Sequence, residues 1–141
     1  KGSKHKINLG MVVMDGAYLV GKVVEVNYLT SRVLLLSDLN SKIPVIVEPN
    51  NVFSILSGTG KENGVIQYSK KYEDIKKNSI IYTSGAGNLF KAGIPVGRVN
   101  QEKLNEIKNG KKPNEKKVEF FSDFSQLRYV KVLSFIKNEV E

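Results

Sequence analysis

The chain has 141 residues, 40% hydrophobic and 26% charged, with a formal net charge of +8 and no cysteine. That is ordinary globular composition for about one domain; it excludes general disorder, large multidomain machinery, disulfides, thiolate metal sites and cysteine nucleophiles. The longest purely aliphatic run, Val33 to Leu36, falls far short of the ~20 apolar residues that cross a bilayer.

In chain order, short β-branched runs recur between turn signals. Met11 to Met14, Leu19 to Val26, Arg32 to Leu36, Ile43 to Val47 and Val52 to Leu56 read as strands, as do Val65 to Tyr68, Ile80 to Thr83, Ile94 to Val99, Lys117 to Phe121 and Tyr129 to Ile136. Between them, Asp15-Gly16, Pro49-Asn50-Asn51, Gly58-Thr59-Gly60, Asn63-Gly64, Gly85-Ala86-Gly87-Asn88 and Gly93 supply tight connections. Gln101 to Asn109 is the one helix candidate, and a long charged hairpin loop fits it equally well. The fold class is therefore all-β.

One internal echo constrains the architecture. Val12-Val13-Met14-Asp15-Gly16 leads to Val20-Gly21-Lys22-Val23, and Ile80-Ile81-Tyr82-Thr83-Ser84-Gly85 leads to Val96-Gly97-Arg98-Val99. Both run strand, glycine turn, strand, with a glycine inside the second strand, which usually marks a bulge or a barrel corner. Two related small barrels explain this pattern, and closed barrels also remove the edges that so many short strands would expose.

The ordered pieces Asp15-Gly-Ala-Tyr-Leu-Val-Gly-Lys-Val-Val-Glu-Val26, Ser31-Arg-Val-Leu-Leu-Leu-Ser-Asp38, Asn40-Ser-Lys-Ile-Pro-Val45, Ile55-Leu-Ser-Gly-Thr-Gly60, Thr83-Ser-Gly85 and Gly93-Ile-Pro-Val-Gly-Arg-Val99 carry a resemblance, with Leu127-Arg-Tyr-Val-Lys-Val-Leu133 closing it. Together they resemble the MreC family of bacterial rod-shape-determining proteins over nearly the whole chain. The turn from Gly85 to Lys91 departs from the family, with Ala and Asn where relatives carry a bulkier apolar residue and glycine. The resemblance implies two small β-barrels whose pairing distantly resembles chymotrypsin-like proteases. It also implies a non-enzymatic scaffold of the cell-elongation complex, on the extracytoplasmic face of the bacterial inner membrane (the periplasm). The expected partners are an MreD-like membrane protein, MreB-like actin filaments reached through a missing N-terminal part, the elongation-specific penicillin-binding transpeptidase and further copies of the chain. The start at Lys1-Gly2-Ser3 without methionine agrees with a fragment of a longer, membrane-anchored parent.

Because a protease-like fold invites it, catalysis is weighed on the residues. A Ser-His-Asp machine needs a placed histidine. The one histidine, His5, lies in lysine-rich Lys-Gly-Ser-Lys-His-Lys, and Ser84 in Thr83-Ser84-Gly85 lacks the strand-to-helix elbow of a hydrolase and is expected to bond its own turn backbone. No calcium or magnesium loop is spelled out, and neither Gly58-Thr59-Gly60-Lys61 nor Gly85-Ala86-Gly87 opens a helix as phosphate-cradling loops do. No cofactor, metal or catalytic residue is therefore expected.

The competing reading is a basic nucleic-acid-binding small barrel of OB or SH3-like type. Of the 22 Lys and Arg, three are arginine (Arg32, Arg98 and Arg128), leaving 19 lysines. Phosphate and base readers lean on arginine's planar fork and on aromatics alternating with basic residues along a strand. Lys70-Lys71-Tyr72 and Arg128-Tyr129-Val130-Lys131 are the only approximations, so partners other than nucleic acid are favoured.

For a scaffold, apolar residues on turns are the anchors a sequence can reveal. Leu89 and Phe90 lead, in a glycine-rich connection, with Tyr18 after Gly16 next; Gly16, Gly21, Gly85, Gly93 and Gly97 are read as determining the fold. One partition puts residues 17–90 in a middle barrel and 1–16 with 91–141 in a second barrel around it; a sequential split is the alternative.

Overall fold

The computed structural model describes residues 1–67, 75, 78–88, 90–100 and 115–134. The helix candidate at 101–109, Leu89 and the Lys70-Lys71-Tyr72 cluster lie outside them. Ten strands are present: β1 Val12–Asp15, β2 Tyr18–Val26, β3 Ser31–Leu35, β4 Lys42–Glu48, β5 Val52–Gly58, β6 Asn63–Gln67, β7 Ile80–Thr83, β8 Pro95–Asn100, β9 Glu115–Phe120 and β10 Lys131–Leu133. Each overlaps one of the expected runs, and the other regular elements among the described residues are two single 3-10 turns, Ser3–His5 and Ala86–Asn88.

The strands form two units. Strands β4-β5-β6-β9-β8-β7 close into a barrel, and β10-β1-β2-β3 form a four-stranded sheet. The expected boundaries do not follow this pairing. The barrel draws on strands between residues 42 and 120, because β2 and β3 hydrogen-bond alongside β1 in the sheet while β8 and β9 are needed to close the barrel. Where a second small barrel was expected, the described residues give the four-stranded sheet.

Alternation explains the barrel. Ile43, Val45 and Val47 of β4, Leu56 of β5, Ile66 of β6, Ile81 of β7, Val96 and Val99 of β8 and Val118 of β9 point inward and are buried. Each such side chain contributes about 1.5–3 kcal/mol on leaving water. The sheet buries both faces. Val12, Met14 and Leu19, with Leu36, join the barrel core, whereas Val13, Val20 and Val23 face the other way, against Ile7, Met11, Phe124 and Leu127. One continuous apolar cluster thus spans sheet and barrel.

The sequence echo is a geometric repeat. Val13 pairs with Gly21 and Gly21 with Leu35, as Ile81 pairs with Gly97 and Gly97 with Phe120. The register shifts immediately after Val13 and after Ile81. Outside the ladders the bonds also correspond: Val23 N donates to Met11 O and Val99 N to Ser79 O, both at 2.9 Å, while Leu36 N donates to Val20 O and Phe121 N to Val96 O. A β-carbon on Gly21 would lie 2.1 Å from Leu34 O, and one on Gly97 2.3 Å from Glu119 O. At both positions the adjacent strand's carbonyl occupies the space of a side chain, which only glycine tolerates.

Candidate interaction face of the barrel

The outward side chains of β5, β4, β7 and β8 build an apolar row. Register places Ile46 opposite Phe53 on one side and Tyr82 on the other, with Tyr82 opposite Pro95. A second row sets Ile55 opposite Pro44. These side chains point away from the core because the inward positions of the same strands are filled by Val45, Val47 and Ile81. Phe53 is 52% exposed and Ile55 37%. Side by side on one face, they form the kind of contiguous apolar surface that marks an interaction site.

A groove of about 530 Å³ opens beside this row, lined by Ile46, Glu48, Asn51, Tyr82, Thr83, Ser84, Ala92 and Gly93. Buried Thr83 fixes its wall: its hydroxyl donates to Lys91 O and accepts from Ile94 N at 2.9 Å, while its carbonyl accepts from Gly93 N at 2.9 Å. The connection from Ser84 to Gly93 is thereby tied down at both ends. Within it, Ser84 Oγ accepts from Ala86 N at 3.1 Å, the local turn bond expected of it. Glu48 is the one charged side chain of the lining, and the Asn51 amide, oriented with its nitrogen toward the carboxylate, donates to both Glu48 oxygens at 2.8 Å.

The residues expected from sequence to form the interface are not brought together here. Phe90 is buried, 6% exposed, within the main core cluster. It lines a small cavity with Gly21, Lys22 and Leu34 of the sheet, Ile43 of the barrel, and Leu36 and Ser41 of the connection between them, so the ring bolts the two units together rather than standing out as an anchor. Leu89 lies outside the described residues. Tyr18 is 40% exposed, its ring 5.0 Å from that of Phe121, over which the Arg98 guanidinium lies at 5.6 Å. Sequence reasoning missed Phe53, Ile55, Ile46 and Tyr82, because a strand lists its outward and inward apolar residues alike until its register is known. The retrievable signal was the unbroken apolar Ile43–Val47 run with Phe53 and Ile55 both out of phase with buried Leu56.

Elsewhere, His5 sits exposed in the first 3-10 turn, and no cluster of three potential metal ligands occurs among the described residues. Tyr129, 90% exposed between Arg128 and Val130, precedes β10 rather than alternating along it, so no stacking platform is formed on a strand face there. No helix among the described residues is long and apolar enough to cross a membrane.

A closed six-stranded barrel sharing its core with a four-stranded sheet defines an all-β barrel-and-sheet module. The chain belongs to the MreC family: the family model "Rod shape-determining protein MreC, barrel core" matches residues 1–134. It is 31% identical over 132 residues to the cell shape-determining protein MreC of Cereibacter sphaeroides, covering 94% of this chain and 41% of that protein. It therefore spans about two fifths of that relative's length. Among solved structures, MreC from Pseudomonas aeruginosa superposes with a TM-score of 0.81 at 33% identity, covering 95% of this chain and 85% of that one. A complex between a penicillin-binding protein (PBP2) and MreC from Helicobacter pylori contains a chain of the same fold, with a TM-score of 0.58 at 17% identity, covering 80% of this chain and 67% of that one.

Proposed function

We propose that this chain is the non-enzymatic extracytoplasmic head of a cell-shape scaffold, acting in the periplasm at the inner membrane to organise peptidoglycan synthesis, with the barrel face of Phe53, Ile55, Ile46 and Tyr82 as its docking surface. Family membership over residues 1–134 supports the role in cell shape. The observation that carries the docking surface is the outward row of exposed Phe53 with half-buried Ile46 and Tyr82, flanked by a groove, on a barrel whose interior is already filled. The partner is the elongation-specific penicillin-binding transpeptidase, by analogy with the Helicobacter pylori complex. An MreD-like membrane protein, MreB-like filaments and self-association belong to the longer parent chain in this reading.

The test is direct binding of the purified chain to the periplasmic part of that transpeptidase, by interferometry, for wild type and Phe53→Asp. Interface centres carry aromatic hot spots worth ~2 kcal/mol or more, so the substitution is expected to weaken binding at least about thirtyfold while the melting temperature holds. Absence of binding by the wild-type chain would refute the reading.

A further inference from the structure

We propose that the groove beside Glu48 takes an extended partner segment presenting one aliphatic or aromatic side chain next to a lysine or arginine. This rests on the docking role given above and specifies its chemistry. The floor is apolar, built by Ile46 and Tyr82, and Phe53 lies opposite Ile46 on the neighbouring strand. The wall is made of small residues, Ser84, Ala92 and Gly93, which leave about 530 Å³ in a shallow, open groove, suited to an extended segment lying along it.

The charge is what selects the occupant. Of the eight lining residues only Glu48 carries a charge at neutral pH, and none is basic, although the whole chain carries +8. The charge lining the groove is thus opposite in sign to the chain's net charge, which favours a cation there. With its amide assigned nitrogen toward Glu48, the orientation its surroundings call for, Asn51 lies 2.8 Å from both carboxylate oxygens and can donate to them. A carboxylate offers about four acceptor sites, so two remain for an incoming ammonium or guanidinium. The carboxylate is thus pre-oriented, which reduces the ordering cost of recognising a charged partner group. A purely apolar occupant would leave that carboxylate desolvated without compensation, and an acidic one would be repelled.

The experiment uses acetylated, fluorescein-labelled octapeptides with a central leucine followed by lysine, by glutamate or by serine, titrated with the chain and read by anisotropy. The leucine–lysine peptide is expected to bind saturably, about fivefold tighter than the leucine–serine peptide and more still than leucine–glutamate. Glu48→Gln is expected to abolish the preference for lysine, Glu48→Lys to reverse it in favour of glutamate, and Ile46→Asp to remove binding of all three; circular dichroism and melting of each variant establish that it is folded. Equal binding of the lysine and glutamate peptides, no binding at all, or a lysine preference that survives Glu48→Gln would overturn the proposal. Sedimentation gives the remaining arm: concentration-dependent self-association abolished by Ile46→Asp would show a second copy in the groove and would overturn it too. Transpeptidase binding that is unchanged by Glu48→Gln would refute this chemistry while leaving the docking role standing, whereas loss of wild-type binding would refute the docking role itself.

Discussion

Replacing Phe90 with alanine separates a structural bolt from a surface anchor. The ring is 6% exposed and lines the cavity between sheet and barrel, with Leu34 and Leu36 on one side and Ile43 on the other. Removing a buried phenylalanine ring forfeits its transfer free energy and leaves a cavity, together about 3–5 kcal/mol. Against the 5–15 kcal/mol typical of a folded domain this is a large fraction. With a urea m-value of about 1.5–2.5 kcal/mol/M, the midpoint should fall by about 1.5–3 M, and the melting temperature by roughly 6–20 °C. Because the ring joins the two units, its loss should also weaken their cooperativity, so that near-ultraviolet and far-ultraviolet transitions, expected to coincide in the wild type, move apart. Urea titration of wild type and Phe90→Ala followed by both signals is the assay. A midpoint change under about 0.3 M with coincident transitions would refute the bolt and return Phe90 to the surface.

Three further outcomes follow from the geometry. Gly21→Ala and Gly97→Ala each drive a β-carbon to within 2.1 and 2.3 Å of a neighbouring backbone oxygen, so both should destabilise, by about 2–4 kcal/mol and to a similar extent, as thermal denaturation would measure; tolerance of either would break the equivalence of the two hairpins. Thr83→Val keeps the shape but strips the hydroxyl that holds Lys91 O and Ile94 N, and should cost about 1–3 kcal/mol while raising hydrogen exchange between residues 84 and 94. The Ser125 hydroxyl and then its backbone N–H hold the exposed Asp123 carboxyl below its ordinary value. A lowered carboxyl pKa gives stability that is present above the unfolded value and lost as pH falls toward the folded one, so Ser125→Ala should move the Asp123 carbon resonance titration upward and flatten stability against pH only below about pH 4.

The fold was largely legible because its strands obey period 2 between strong turn residues, a local property that a linear sequence displays. Even the Val-Gly-basic-Val echo carried true geometry: Gly21 and Gly97 occupy equivalent positions beside a bulge. What was not legible was set by contacts distant in sequence. The grouping of β1, β2 and β3 with β10, rather than with β4 and β5, depends on pairings across more than a hundred residues, such as Val13 with Val132. Phe90 looked exposed because glycines and a lysine surround it, yet the same glycines let the connection fold back and drop the ring into a gap between the units. The outward apolar face escaped for the converse reason: Phe53 and Ile55 lie in a strand whose apolar content looked like core, and only pairing with Ile46 and Pro44 shows which side they take.

The repeat also shows where an interaction surface could be accommodated. Val132–Val13–Gly21–Leu35 across β10-β1-β2-β3 matches Val47–Ile81–Gly97–Phe120 across β4-β7-β8-β9, strand for strand. In the barrel, β5 and β6 then bridge β4 to β9 and close the ring, and the sheet has no counterpart to them among the described residues. Closure changes what the outer face must do. In the open sheet both faces carry apolar residues and both are covered: Val12 and Leu19 are buried against the barrel, Val13 and Val20 beneath Phe124 and Leu127. A closed barrel satisfies its backbone and fills its interior from within, so its outside is under no such demand. Phe53 and Ile55 sit on β5, one of the two strands peculiar to the barrel, and they are exposed where stability alone would accept any polar residue. Exposed apolar side chains on a surface that the fold leaves free are what the proposed docking role of the β5-β4-β7 face would use, and Phe53→Asp tests that role without disturbing the filled interior.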